Sequence, residues 1–471
     1  MLLPYIYHTL SSFRTAFSRE RSFTLFSLVI IAFLASYRID GVSSFCRFWM
    51  LDSSGYHALL HFFHSQSYQL SGLVTCWGDF VLKQNLHLQL GGFNILLGDH
   101  IYIPKDGRRM PGVCTHHQDS ETQTKPAYFR GHRFSAIGLL IGTKLLPFCI
   151  PLALRIHQGF KHIGQKDEKK DEKKTLAPRM IEMAVSWCKE HKTPSLLVLD
   201  AFFSVASTFR AAGTALFVLT RAKKNYVAYH LAQQLLEKKR GAPRKYGEKV
   251  HLYEVFDDLQ EVSLGEAIVY GKKEEVAYHA MNLLWRPTGG MLRFIFVCTS
   301  HGSMVLMSNH LELHPIVAIE AYCLRIRIET MFDKLKNLLG TFYYRFWSKH
   351  LPRHSRKPKK NSELKSPPDE RVHKVKATWE CYERFVMFGA ISLGILQILS
   401  LKYTQMIWSS FQGFLRTRSR SIPSERTVKE VVGQELTKNF FDVACDGRMR
   451  ELKEVCDEHW RNPKNEFREA A

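Results

Sequence analysis

Two short apolar runs, each closing on an aspartate, do most to constrain the fold. FNILLGD runs from Phe93 to Asp99, and SLLVLD from Ser195 to Asp200. Runs this short, rich in aliphatic residues, read as strands that deliver an acid at the C-terminal edge of a sheet. Turn signals follow the first run at Asp106-Gly107 and Pro111-Gly112, and His132 to Gly142 supplies another apolar strand, giving a hairpin sheet. A helix is expected over 178–191, with Pro178 near its start. After Asp200 come a helix over 203–212 and a strand over 214–221. Strands alternating with helices predict a mixed-sheet α/β core.

A third acid lies on a long helix expected over 317–339. Residues 322 to 336 read YCLRIRIETMFDKLK, with Tyr322, Arg325, Glu329 and Lys336 at steps of three, four and seven. At 3.6 residues per turn these four share one face. An acid flanked by cations and a phenol suits a metal site beside a phosphate backbone. Divalent-metal phosphoryl transfer needs hard oxygen ligands around two ions about 3.5–4 Å apart, which Asp99, Asp200 and Glu329 would supply. Arg325, Lys336 and Tyr322 would then contact phosphates. The plainer alternatives are an Arg325–Glu329 ion pair worth a few tenths of a kcal/mol and a Tyr322 that packs. Asp333, one turn beyond Glu329, is a spare acid.

The charge balance agrees with that chemistry. The 471 residues carry 66 Lys+Arg against 44 Asp+Glu, a formal net charge of +22. Such an excess favours a polyanionic partner, nucleic acid before a membrane surface. Ten cysteines without a C-x-x-C pair suggest neither a zinc ribbon nor a disulfide framework. The apolar run from Phe23 to Tyr37 falls short of the roughly 20 residues a spanning helix needs. It reads as a buried helix, as does Phe385 to Leu401, and no stable membrane association is expected.

The chain divides into a helical N-terminal domain (1–85, possible DNA binding), a first part of the core (86–222), a β-rich insertion (223–291) and a second part of the core (292–412). This last part holds the Glu329 helix and a basic linker over 349–373. A charged extension occupies 413–471. The run from Lys166 to Lys174, of alternating sign, reads as exposed and solvated. Lys223 and Lys224, with Tyr226 and Tyr229, look like a phosphate-contacting rim or a plain surface patch. Trp285, before the Gly289-Gly290 turn, is a candidate to stack on a displaced base or a core residue.

Tyr322-x2-Arg325-x3-Glu329-x6-Lys336 resembles the Tyr-Arg-Glu-Lys signature of one large group of insertion-sequence transposases of the DDE class. IETMFDKLKN, the PKDGRRMPG that follows Asp99, and the AFFS that follows Asp200 are similar to that family as well. The resemblance spans about residues 85 to 345. It implies a ribonuclease H-like catalytic core, with a β-rich insertion between the second aspartate and the glutamate and helical regions at both ends. It implies Asp99, Asp200 and Glu329 as catalytic metal ligands for two Mg²⁺, or Mn²⁺. Its partners would be double-stranded DNA with terminal inverted repeats and a second copy of the chain in a synaptic homodimer. The activity would be cut-and-paste cleavage and strand transfer, commonly through a hairpin intermediate, in a bacterial cytoplasm at the nucleoid. Three other readings stand beside it: a non-catalytic DNA-binding regulator, a nuclease of the same core that cuts without joining, and a membrane-associated protein.

Overall fold

The apolar texture of the first 85 residues becomes five helices: α1 (Leu3–Ser11), α2 (Glu20–Ala35), α3 (Val42–Trp49), α4 (Ser53–His64) and α5 (Leu70–Lys83). The computed structural model describes residues 2–117, 128–157, 176–232, 244–258, 262–353, 369–414 and 421–439. The charge run from Lys166 to Lys174, most of the basic linker and the end of the C-terminal extension lie outside the described residues.

The strands then follow in order: β1 (Gln89–Leu90), β2 (Phe93–Pro104), β3 (Cys114–His117), β4 (Tyr128–Gly142) and β5 (Pro147–Ile156). Helix α6 (Leu176–His191) leads into β6 (Ser195–Val198), and α7 (Ala206–Ala212) into β7 (Phe217–Arg221). An antiparallel series comes next: β8 (Val227–Leu231), β9 (Tyr246–His251), a short α8 (Val255–Asp258), β10 (Ser263–Val269), β11 (Lys272–Trp285), β12 (Gly290–Thr299) and β13 (Gly302–Ser308). Helices α9 (Pro315–Cys323), α10 (Ile326–Asp333), α11 (Val372–Lys402), α12 (Thr404–Ser410) and α13 (Glu425–Asn439) close the described chain.

All the described strands belong to one mixed sheet. Its central part runs β5-β4-β2-β6-β7. β4 is antiparallel to β5 and β2, while β6 is parallel to both β2 and β7. Beyond β7 the sheet continues antiparallel through β13, β12 and β11. The mixed α/β expectation is met, with helices at both ends of the chain. Two local expectations are not. β2 does not stop at Asp99 but continues to Pro104, because β4 is long enough to pair with it as far as Gly131. The helix expected over 317–339 is broken. Arg325 and Arg327 donate their amides three residues back, to Tyr322 and Leu324, and residues Lys334–Leu338 form a π-turn. π-turns recur at functional sites.

Helix α11 explains both apolar runs. It is the one helix among the described residues long and apolar enough to cross a membrane, and 89% of its most apolar window is buried. It packs on α2, α4, β5 and α13. Phe385 and Phe388 meet Phe33, Phe26 and Phe62 at ring-centroid distances of 5.5, 5.3 and 5.7 Å. Each fully buried phenylalanine stabilises the fold by about 1.5–3 kcal/mol. The one guanidinium in this layer, Arg384, donates at 2.7 Å to the carbonyls of both Phe63 and Ser65 and lies 4.6 Å over the Tyr68 ring. These two bonds tie the end of α4 to α11.

Gly394 gives a test of that packing. A Cβ there would collide with the Trp77 ring and with Ile150. The ring cannot easily retreat, because Trp77 Nε1 donates to the Pro151 carbonyl at 2.7 Å. Alanine gains about 1 kcal/mol of helix propensity over glycine, but overpacking a core costs about 1–3 kcal/mol. Gly394→Ala is therefore expected to lower stability in chemical denaturation. A more stable variant would show that the Trp77 contact is loose.

Candidate active site

The parallel strands set the position of the acids. Leu97 on β2 pairs with Val198 on β6, and Val198 pairs with Leu219 on β7. Two residues further along each chain stand Asp99, Asp200 and Arg221. The three are thus level at one edge of the sheet, on three adjacent chain segments. Asp200 leaves β6 as the cap of a short 3-10 turn, its carboxylate accepting from the Phe202 amide at 2.9 Å. Its carbonyl accepts from Thr220 Oγ1 at 2.6 Å, tying the ends of β6 and β7 together.

Helix α10 brings the third acid. It packs on β2 and β5, and Arg325 at its N-terminus joins it to the sheet. Arg325 donates to Asp99 at 3.3 Å and to Glu329 at 3.0 Å. The plain ion pair expected between Arg325 and Glu329 is present, but the same guanidinium also reaches the strand acid. Asp99 is about 20% exposed and Glu329 about 50%, so the cluster opens toward solvent on the helix side.

The electrostatics show an excess of negative charge. Burial raises the Asp99 carboxyl to about 7, helped by the charges of Asp200 and Glu329, despite the His100 amide and Arg325 holding it down. Arg325 is itself raised: burial works against its charge, and Asp99, Tyr322, Glu329 and Asp200 outweigh that. Tyr322 is pushed up to about 12, chiefly by burial, with Asp200 adding to the rise. Its phenol stays protonated at neutral pH and can donate a hydrogen bond.

Among the described residues no three His, Cys, Asp or Glu side chains stand close enough together to hold a metal ion. The Arg325 guanidinium bonds both Asp99 and Glu329. By chemistry the donor set, three carboxylates, could serve a hard divalent cation; one of them, Asp99, is raised chiefly by burial and further by the neighbouring acids. A cation would replace Arg325 as the positive charge among them.

The other candidate residues divide. Lys223 and Lys224 are exposed in the turn after β7, at the same sheet edge as Asp200. Lys336 lies in the π-turn, exposed, with neither hydrogen bond nor ion pair to a described residue. Asp333 accepts from Asn337 at 2.7 Å and from Lys334 at 3.1 Å, so it is engaged within its own helix. Trp285 is 3% exposed, with its ring against Tyr226 and Phe209 at 5.5 and 5.9 Å. A base would reach it only by displacing Tyr226.

Three neighbours escaped sequence reasoning. Arg221, level with Asp200, is held by a side-chain hydrogen bond with Tyr253. Its signal was available, as the last residue of the third parallel strand. Tyr270 interacts electrostatically with both Arg325 and Arg221, and it arrives from a β-turn far away in sequence. Phe202, 47% exposed beside Asp200, has the Arg133 guanidinium 5.2 Å over its ring.

No protein-family model matches the chain, and no curated protein matches it.

Proposed function

We propose that this protein is a metal-dependent DNA phosphoryl-transfer enzyme of the transposase type, built on a ribonuclease H-like core. The observation that carries the reading is that Arg325 bridges Asp99 and Glu329, which are remote in sequence, while the parallel register of β2 on β6 brings Asp200 level with Asp99. Structural acids are usually paired one to one. Here two carboxylates share one guanidinium, a third stands level with Asp99 on the next strand, and Asp99 itself is raised to about 7, a pattern typical of functional sites. Three antiparallel strands followed by two parallel ones, with the acids at the level edge, support the ribonuclease H-like assignment.

In this reading Asp99, Asp200 and Glu329 hold two Mg²⁺, or Mn²⁺, in the working enzyme. When bound, the ions stabilise the attacking and leaving oxygens of the phosphoryl transfer. The chain's own residues do the remainder. Arg325 keeps the acids together in the free protein and turns its fork to a phosphate when they are otherwise neutralised. The protonated Tyr322 donates to a phosphate oxygen. Arg221, Lys223 and Lys224 lie along the same edge, where a DNA backbone would pass. The net charge of +22 draws duplex DNA to the protein. Terminal inverted repeats and a synaptic homodimer belong to the same proposal.

The test is an assay on DNA carrying both inverted repeats from the gene's own flanks, with Mg²⁺ or Mn²⁺. Cutting followed by joining to a target is the expected result. Cutting without joining would make the protein a nuclease, and binding without cutting would make it a regulator. Both outcomes contradict the proposal.

A further inference from the structure

A second surface, separate from the acids, combines positive charge with exposed aromatic rings. Beyond Lys349 the described chain continues only to Arg353, but the stretch before it is informative. From Phe342 to Lys349 burial alternates strictly. Phe342, Tyr344, Phe346 and Ser348 are buried, while Tyr343, Arg345, Trp347 and Lys349 are exposed. The buried set is anchored. Tyr344 Oη is 2.6 Å from His132 Nδ1, and Tyr382 Oη donates to the Phe346 carbonyl at 2.8 Å. The exposed set therefore stands on a fixed, extended backbone, aromatic and cation in turn. In extended chain such residues recur at about 6.6 Å.

This ridge separates two cavities. One, of about 1030 Å³, lies against the turn after β2 and is lined by six Lys and Arg residues against a single acid, Asp106. The other, of about 460 Å³, adds Arg47 and an Arg38 paired with Asp40 at 2.8 Å. Tyr343, Arg345 and Trp347 line both. Lys105 is pushed down to about 7 chiefly by burial, with Arg345 adding to the fall. Its ammonium is 3.9 Å over the Tyr344 ring and donates to the Phe342 and Tyr344 carbonyls.

Trp347 is 68% exposed, and no other ring packs on it among the described residues. Every other described tryptophan is buried or half-buried. A cationic surface alone suits any polyanion. A fixed, exposed tryptophan set between cations suits a polyanion that also offers flat apolar faces, and in DNA those faces are open only where the strands are unpaired.

We propose that this ridge binds single-stranded DNA, with a base stacked on Trp347 and neighbouring phosphates on Arg345 and Lys349. That the nucleic acid is DNA rests on the function proposed above. The groove begins at Lys105, six residues along the chain from Asp99. At strand spacing that is about 20 Å, or about six base pairs of B-form duplex. An unpaired segment of a DNA substrate near the cutting site would lie within its reach.

The experiment uses the full chain, without divalent metal, and a short labelled oligo(dT) beside a duplex of equal length, read by fluorescence anisotropy. Trp347→Ala is expected to weaken oligo(dT) binding about ten-fold and to change duplex binding by less than about two-fold. The double variant Arg345→Ala, Lys349→Ala is expected to weaken oligo(dT) binding and to reduce the slope of log affinity against log salt by about 1.4. All three side chains are exposed, so the variants should fold, which circular dichroism checks. Unchanged oligo(dT) binding by Trp347→Ala, or an equal loss for duplex and single strand, overturns the proposal. The assay involves no cutting. A protein that binds oligo(dT) through Trp347 but never cleaves keeps this site and loses the proposed function; one that cleaves but ignores Trp347 does the reverse.

Discussion

Asp99→Asn is expected to reduce DNA cleavage by on the order of 10²–10³-fold, while leaving the protein at least as stable above neutral pH. The loss follows from removing one of three charged ligands at the centre of the reaction, where a single stabilising group is commonly worth about 10²–10³ in rate. The gain in stability follows from the raised carboxyl. Asp99 binds its proton up to about 7 in the folded protein, against an ordinary value of 3.8. As pH rises from about 4, the unfolded chain releases this proton first. Between about 4 and 7 the native state therefore holds more protons, and stability falls with rising pH. The penalty is complete above about 7. Asparagine carries no such charge and can still accept from Arg325. Melting temperatures of both proteins at pH 5 and pH 8 measure this, with the variant expected to gain on the wild type at the higher pH. A variant that loses equally at both values would show Asp99 to be an ordinary paired carboxylate.

Arg325→Ala carries the second large effect. It removes two charge-assisted hydrogen bonds, to Asp99 and to Glu329, and leaves the acids facing one another. Hydrogen bonds to charged groups contribute about 1.5–3 kcal/mol. Glu329 is half exposed, so solvent screens its share, and the Asp99 arm dominates. A loss of about 2–3 kcal/mol is expected. Mg²⁺ or Mn²⁺ should return more stability to this variant than to the wild type, because guanidinium and metal compete for the same oxygens. Arg325→Lys should fall between the two, with charge kept and the fork lost. Thermal unfolding with and without metal separates these outcomes. If metal stabilises neither variant nor wild type, the acids do not hold it.

The sequence made the acids legible because strand-end aspartates and helical spacing are local signals. FNILLGD and SLLVLD became β2 and β6 with their aspartates, and the step of four between Arg325 and Glu329 became an observed contact. What is long-range was not legible. Asp99 levels with Asp200 only through the parallel register of β2 on β6, and the Arg325–Asp99 contact spans 226 residues. Helical spacing assumes one unbroken helix, whereas the chain breaks at Arg325 and turns π at Lys334. The Trp347 ridge, FYYRFWSK, is mostly aromatic and shows no alternation of residue type. Its meaning depended on which parity is buried, and that is set by His132 and Tyr382, partners remote in sequence.

The most direct test of the central claim is a single-turnover cleavage measurement on DNA carrying the element's ends, over a series of Mg²⁺ concentrations, with wild type beside Glu329→Gln. Glu329 is half exposed, so the substitution should spare the fold. Metal-dependent cutting by the wild type, lost in the variant while DNA binding persists, is the expected result. Wild-type protein that binds but never cuts, or a variant that cuts as fast as the wild type, would contradict the assignment of the three acids to metal-dependent phosphoryl transfer.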